Sequence, residues 1–300
     1  MPYQGSRRDL LKLMGVGGVV FASGLAGAAK KKAKKSDVHD DFFFLQLSDT
    51  HWGYAGVSNP EADVTLKKAV EAVNGVAAEP DFIVFTGDLT HTTNDGAVRR
   101  KRMTEFRDIV GGLKVKTLRL MPGEHDAAPD AGVAYQENFG PTHYAFDHKG
   151  VHFVALDNVS DPAGAVGAAQ IDWLSADLKR VGRDARIVVL THRPLFDLYP
   201  QWEWATQDGA KVIDLLLPYQ RVTVFYGHIH QEHHHQTEHI RHHAARSLIF
   251  PLPPAGSVPK KVPLPWDAAT PFKGLGFRQI AVEGGGGDPR LTELPIVKPT

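Results

Sequence analysis

The chain has 300 residues, 34 basic and 34 acidic side chains, no cysteine and 42% apolar residues. It is too long for a stapled mini-protein and too rich in core formers for a disordered one. The absence of cysteine excludes disulfide frameworks, zinc fingers, iron–sulfur clusters and thiol nucleophiles together, so any metal site must draw on His, Asp, Glu and Asn. The 16 His residues make such a site a real option.

Charge is unevenly placed. Residues 1–35 carry eight basic side chains (Arg7, Arg8, Lys12, Lys30, Lys31, Lys32, Lys34 and Lys35) and one acid, Asp9. Removing these from the totals of 34 and 34 leaves 26 basic against 33 acidic residues, a net −7. A mildly acidic body gives no electrostatic case for sequence-independent nucleic-acid binding. The basic segment, Ser6-Arg7-Arg8-Asp9-Leu10-Leu11-Lys12 before the weakly apolar stretch Leu13 to Ala29, resembles a twin-arginine export signal. With its Gly content that stretch is a poor permanent membrane span, and Ala26-Gly27-Ala28 is a plausible cleavage site. The organisation expected is a signal and basic linker over residues 1–35 and one α/β domain over 36–300, exported to the periplasm or beyond through the twin-arginine machinery. That route carries folded proteins, which suits a metal loaded before export.

From residue 42 strands, loops and helices alternate. Phe42 to Leu47 is a buried strand, and Glu61 to Ala78 has apolar residues at helical spacing. Asp81 to Thr86 is a second strand ended by Gly87-Asp88. A helix over Val98 to Val110 leads to a strand at Thr117 to Met121, which Pro122-Gly123 stops. Tyr144 to Asp147 and Val151 to Leu156 flank His148-Lys149-Gly150 as an antiparallel hairpin. A helix over Gln170 to Val181, a strand at Arg186 to Leu190, a helix near Ala210 to Leu217 and a strand at Arg221 to Tyr226 follow. Beyond residue 250 the chain is rich in Pro and Gly, with a late strand at Phe277 to Val282.

Polar residues stand directly after these strands. Asp49 and His51 follow the first, Gly87-Asp88 the second and Gly123-Glu124-His125-Asp126 the third; Thr191-His192 and Gly227-His228-Ile229-His230 follow two later ones. Ligands of open α/β sheets bind outside the carboxyl ends of strands, where loops from distant parts of the chain converge. One Asp-x-His triplet says little; five such blocks in this order point to a shared metal site.

These blocks resemble those of the calcineurin-like metallophosphoesterases. Thr142-His143-Tyr144 through Asp157-Asn158, with Gln170, Trp173 and Leu174, is similar to the branch containing cyclic-nucleotide phosphodiesterases and purple-acid-phosphatase-like enzymes. The resemblance implies a four-layer α-β-β-α sandwich with two mixed sheets, and two Fe, Mn or Zn ions at the sheet ends. Asp49, His51 and His230 would hold the first ion, Asp88 would bridge, and His192, His228 and residue 124 would hold the second. It further implies hydrolysis of a small phosphomonoester or phosphodiester by a metal-bound hydroxide, with His125 protonating the leaving oxygen and Asp126 orienting His125.

Glu124 departs from the pattern, which has Asn there. A carboxylate binds a cation at least as well, but it quenches Lewis acidity, repels phosphate and offers no donor. The alternatives are an active enzyme with altered metal preference, a slow one, or a non-hydrolytic periplasmic metal-binding protein. His233, His234, His235, His239, His242 and His243 crowd the segment after His230. They form a polar strand pair, supply extra ligands or a loading surface, or touch substrate. Tyr199, Trp202 and Trp204 either line a substrate cleft or pack a long loop. His91 and Asn94 are further candidates for contact with a phosphate substituent.

Overall fold

The computed structural model describes residues 41–297; the export segment expected over 1–35 lies outside them. Phe42–Leu47 (β1) is buried at every position, as a strand covered on both faces must be. Its alternate residues serve two cores: Phe42 and Phe44 point between the sheets, and Phe43, Leu45 and Leu47 point to the helices. Ala62–Asn74 (α1), Ile83–Thr86 (β2), Gly96–Val110 (α2) and Leu118–Met121 (β3) follow. The start of α2 is fixed by Asp95, whose carboxylate accepts the N–H groups of Ala97 and Val98 at 2.8 and 3.0 Å.

Two short helices, Glu124–Ala127 (α3) and Val133–Phe139 (α4), precede the hairpin Tyr144–His148 (β4) and Val151–Ala155 (β5). The chain continues through Ala168–Leu178 (α5), Arg186–Leu190 (β6), Gly209–Leu216 (α6) and Arg221–Tyr226 (β7). The His-rich segment forms His233–Thr237 (β8) and Ile240–Ala244 (β9), and Gly276–Val282 (β10) and Arg290–Pro295 (β11) end the described chain.

One sheet has the order β11-β10-β1-β2-β3, the other β4-β5-β6-β7-β9-β8. Both are mixed: β1 pairs parallel with β2 and antiparallel with β10, while β5, β6, β7 and β9 run parallel between antiparallel edges. The sheets face each other across Phe42, Phe44, Phe82, Phe153, Phe225 and Ile280. Burying each such side chain contributes about 1.5–3 kcal/mol. Helices α1, α2 and α4 cover the outside of the first sheet, and α5 and α6 cover the second. This is the four-layer sandwich expected, with the carboxyl ends of β1, β2, β3, β6 and β7 carrying the five polar blocks. Among the described residues no helix is long and apolar enough to cross a membrane.

Candidate metal centre

Among the described residues three groups of potential ligand atoms, each within 4.8 Å of one another, meet at the sheet ends: Asp49, His51, Asp88 and His230; Asp88, Glu124, His192 and His228; and, without a carboxylate, His51, His91 and His125. The two four-residue groups combine imidazole with carboxylate. Asp88 belongs to both. In the first, His51 Nε2 lies 3.3 Å from Asp88 Oδ2 and 3.3 Å from His230 Nε2, and His230 Nε2 lies 3.5 Å from Asp49 Oδ1. In the second, His192 Nε2 is 3.4 Å from Asp88 Oδ2 and 2.9 Å from Glu124 Oε2, and His228 Nδ1 is 2.9 Å from Glu124 Oε1. Ligand atoms about 2.0–2.2 Å from one cation stand about this far apart. His192 Nε2 and Glu124 Oε2 are buried and lack a hydrogen-bond partner despite their proximity, a deficit that a shared cation would remove. The donor set of imidazole and carboxylate suits Fe, Mn or Zn.

The backbone is bent to aim these side chains. Asp49, His51, Asp88, His228 and His230 all have positive φ, between 43° and 66°, in a region that costs a non-glycine residue about 1–3 kcal/mol and persists only where the surroundings dictate it. At Gly123 a Cβ would collide with the Asp88 carboxylate, and at Gly227 with the Ser48 hydroxyl; the block glycines make room for the ligands. Backbone N–H groups hold the carboxylates: His228 N–H donates to Asp49 at 3.1 Å, and His125 N–H to Asp88 Oδ1 at 3.0 Å.

Charge is concentrated and mutually compensated. Burial, reinforced by Asp88 and Glu124 against the opposing pull of His192, raises the Asp49 carboxyl to about 7. Burial also disfavours charge on Asp88, as Glu124 does, but His192, His125 and His51 outweigh both and hold it ionised. Burial keeps the His51 ring neutral and lowers His230 to about 3. At His192 burial opposes protonation, but Asp88 and Glu124 overcome it and raise the pKa well above the imidazole range.

His125 lies on the rim, with His51 against its ring edge at 4.6 Å. Its Nδ1 accepts the N–H of Thr92 at 3.1 Å, which leaves the ring proton on Nε2. The expected orienting role of Asp126 needs correction, because its carboxylate bonds elsewhere. Oδ2 accepts from Leu89 N–H and Gly123 N–H, both at 2.9 Å, and Oδ1 accepts from Thr90 N–H at 2.8 Å and the Thr90 hydroxyl at 2.9 Å. Asp126 therefore clamps the loop after β3 to the loop after β2 and acts on His125 only through the backbone.

His51, Asp88, Glu124, His228 and His230 line a cavity of about 160 Å³ together with His91, His125, Phe250, Leu252, Lys261 and Pro263, with Asp49 and His192 buried behind them. His91 thus belongs to the site, whereas Asn94 is exposed outside the cavity. Trp202 and Trp204 are buried with Tyr226 and Ile249 and pack the loop rather than line a cleft. Glu203 between them has a role that sequence reasoning missed, since its carbonyl accepts from His228 Nε2 at 3.0 Å; a backbone acceptor leaves no trace in residue type. For the Pro-rich stretch Pro251 to Pro271 the sequence leaves open whether it covers the site or a sheet edge; Leu252, Lys261 and Pro263 stand on the cavity wall. β8 and β9 pair His234 with His243 and His235 with His242 across the hairpin, and none of their His joins the groups of potential ligands found among the described residues.

The pattern of the calcineurin-like phosphoesterase family matches residues 43–232. A 3′,5′-cyclic-nucleotide phosphodiesterase of Nostoc is 25% identical over 200 residues, spanning 65% of this chain and 71% of that protein. The serine/threonine-protein phosphatase CPPED1 of Bos taurus is 26% identical over 203 residues, 60% and 65% of the two chains. Among solved structures, yellow lupin purple acid phosphatase aligns with a TM-score of 0.64 at 14% identity, over 87% of this chain and 52% of that one. A dimetal phosphatase from Danio rerio aligns at 0.60 and 14% identity, over 86% and 97%. This chain spans about half the length of the lupin enzyme, and at such identity the likeness concerns the fold.

Proposed function

This chain belongs to the calcineurin-like phosphoesterase family, metal-dependent phosphoric ester hydrolases, and from that premise we propose an exported enzyme that hydrolyses small phosphomonoesters or phosphodiesters with two metal ions. The observation that carries the reading is the pair of four-residue groups sharing Asp88. A pair of such cations supplies Lewis acidity to a phosphoryl oxygen and lowers the pKa of a bound water.

The chain's own residues do the rest. Asp49, His51 and His230 hold the first position, His192, His228 and Glu124 the second, with Asp88 between them. His125, whose Nδ1 is taken by the Thr92 N–H, offers its Nε2–H as a hydrogen bond to the departing oxygen, where it offsets the negative charge that develops there. Lys261, on the cavity wall, draws in an anionic ester. The Phe250 ring covers His230 at 5.0 Å and His51 at 6.0 Å, shielding both imidazoles from water. Named phosphodiesterases and phosphatases among the relatives support either ester class.

Purified full-length protein is expected to contain close to two Fe, Mn or Zn ions per chain and to hydrolyse chromogenic phosphate esters, losing activity on chelation. Metal at or below one ion per chain, with no turnover of mono- or diesters, would refute this. Export rests on the Arg7-Arg8 segment; replacing both by Lys should leave precursor inside the cell, and normal export of that variant would refute the twin-arginine route. A second reading, a non-hydrolytic metal-binding protein, draws on Glu124, whose carboxylate spans His192 and His228 at 2.9 Å each. Bound metal without turnover on any phosphate ester would favour it.

A further inference from the structure

Each imidazole of the two ligand groups turns one nitrogen inward and the other away. For three of the four, the outward nitrogen donates to a backbone carbonyl: His192 Nδ1 to Thr86 at 2.6 Å, His230 Nδ1 to Phe250 at 2.8 Å and His228 Nε2 to Glu203 at 3.0 Å. His51 is the exception. Its Nε2 faces Asp88 and His230, and its Nδ1 meets Nδ1 of His91 at 3.2 Å. An imidazole nitrogen that binds a cation carries no proton, so the ring proton of His51 sits on Nδ1 and His91 Nδ1 accepts it. Outward partners of this kind fix the tautomer and rotation of metal-binding His, and their loss typically costs about 10–100-fold in metal affinity.

His91 is built to stay in place. Its N–H donates to the Trp52 carbonyl at 2.9 Å and its own carbonyl accepts from Arg102 at 2.7 Å. Its ring stacks on His125 at 4.8 Å and meets Tyr54 edge-on at 5.1 Å. Backbone and ring are therefore held independently of the contact with His51.

We propose that His91 is a positioning residue of the metal centre: its Nδ1 is the acceptor that orients His51 toward the first cation, the place that backbone carbonyls fill for the other three imidazoles. The inference rests on the two-metal reading above. It is tested by titrating the metal-free full-length chain with Zn²⁺ in a calorimeter. His91→Phe keeps the ring stacked on His125 and removes the acceptor; His91→Asn puts a carbonyl oxygen near the position of Nδ1. The Phe variant is expected to bind one Zn²⁺ about 10–100-fold more weakly and the other within about twofold of wild type, with the Asn variant restoring most of the loss. Unchanged affinities in the Phe variant would overturn the role of His91 alone, as would Phe and Asn variants weakened equally, which is the mark of general disruption. A wild-type chain that binds no Zn²⁺ would overturn this proposal and the two-metal reading together.

Discussion

Replacing Glu124 by Asn isolates the effect of one charge at the second metal position. Three carboxylates, Asp49, Asp88 and Glu124, contribute to the two groups. Against two divalent ions they leave a net charge of about +1, and Glu124→Asn raises it to about +2. A unit charge about 5 Å from a phosphoryl oxygen, at an effective dielectric near 20, is worth about 3 kcal/mol. The Arg193 guanidinium, with Nε 3.9 Å from Glu124 Oε2, and the cation bound by the carboxylate screen much of this. A residual of about 1.4 kcal/mol corresponds to about tenfold in rate. The shorter amide cannot span His192 and His228, so the second ion binds more weakly and the assay needs saturating Mn²⁺ with bound metal measured in parallel. At equal occupancy, kcat/KM for a chromogenic phosphodiester should rise about tenfold in Glu124→Asn. An equal or lower kcat/KM with both ions bound would refute the argument that repulsion of the anionic ester limits this site.

His125→Asn should leave metal content unchanged and lower kcat by about 10²–10³, with a larger loss for esters of aliphatic alcohols than for p-nitrophenyl esters; equal losses on both would count against a hydrogen-bond donor to the departing oxygen. Gly123→Ala drives a methyl group into the Asp88 carboxylate and should empty both metal positions, read as metal content on a still-folded chain by circular dichroism. Metal affinity should fall with pH. Asp49 titrates near 7 in the metal-free chain because it is buried, so below that pH a proton must leave before a cation binds; that group alone weakens apparent affinity about tenfold per pH unit. His51 and His230 are kept neutral by burial and add little, whereas the protonated His192 steepens the fall. Zn²⁺ affinity that is flat between pH 8 and pH 6 would refute this.

Much of the architecture was legible because of where the strands lie. β1, β6 and β7 are buried on both faces, apart from Arg221 at the start of β7, so each reads as a largely apolar run with sharp ends, and five of the seven candidate ligands stand just after those ends; their assignment to two ions came only with the family resemblance. Of the readings open for the His-rich segment, the polar strand pair is the one that β8 and β9 form. The pairing of β1 with β10, which joins Phe42 to Val282, was not legible, since no local pattern encodes a partner 240 residues away. Nor were α4 and β11. Within the site, the missing parts are those in which the backbone acts: the Glu203 carbonyl, the left-handed turns at five ligands, and the loop clamp that Asp126 makes with Leu89, Thr90 and Gly123. Lys261 and Phe250 were hidden for a different reason, because a Pro-rich segment has no periodicity from which to infer what it covers.

That segment divides the cavity into parts with separate histories open to them. Every proposed metal ligand and His125 falls within the family-matched residues 43–232, on turns where a single Cβ at Gly123 or Gly227 would displace a ligand. Phe250, Leu252, Lys261 and Pro263, which close the cavity from the other side, fall after it, on a strap held between β9 and β10. Lengthening or shortening the strap between Leu252 and Leu275 disturbs no strand register and moves no proposed metal ligand. A change in the strap's length would therefore reshape what the cavity admits while leaving in place the turns that aim the proposed metal ligands.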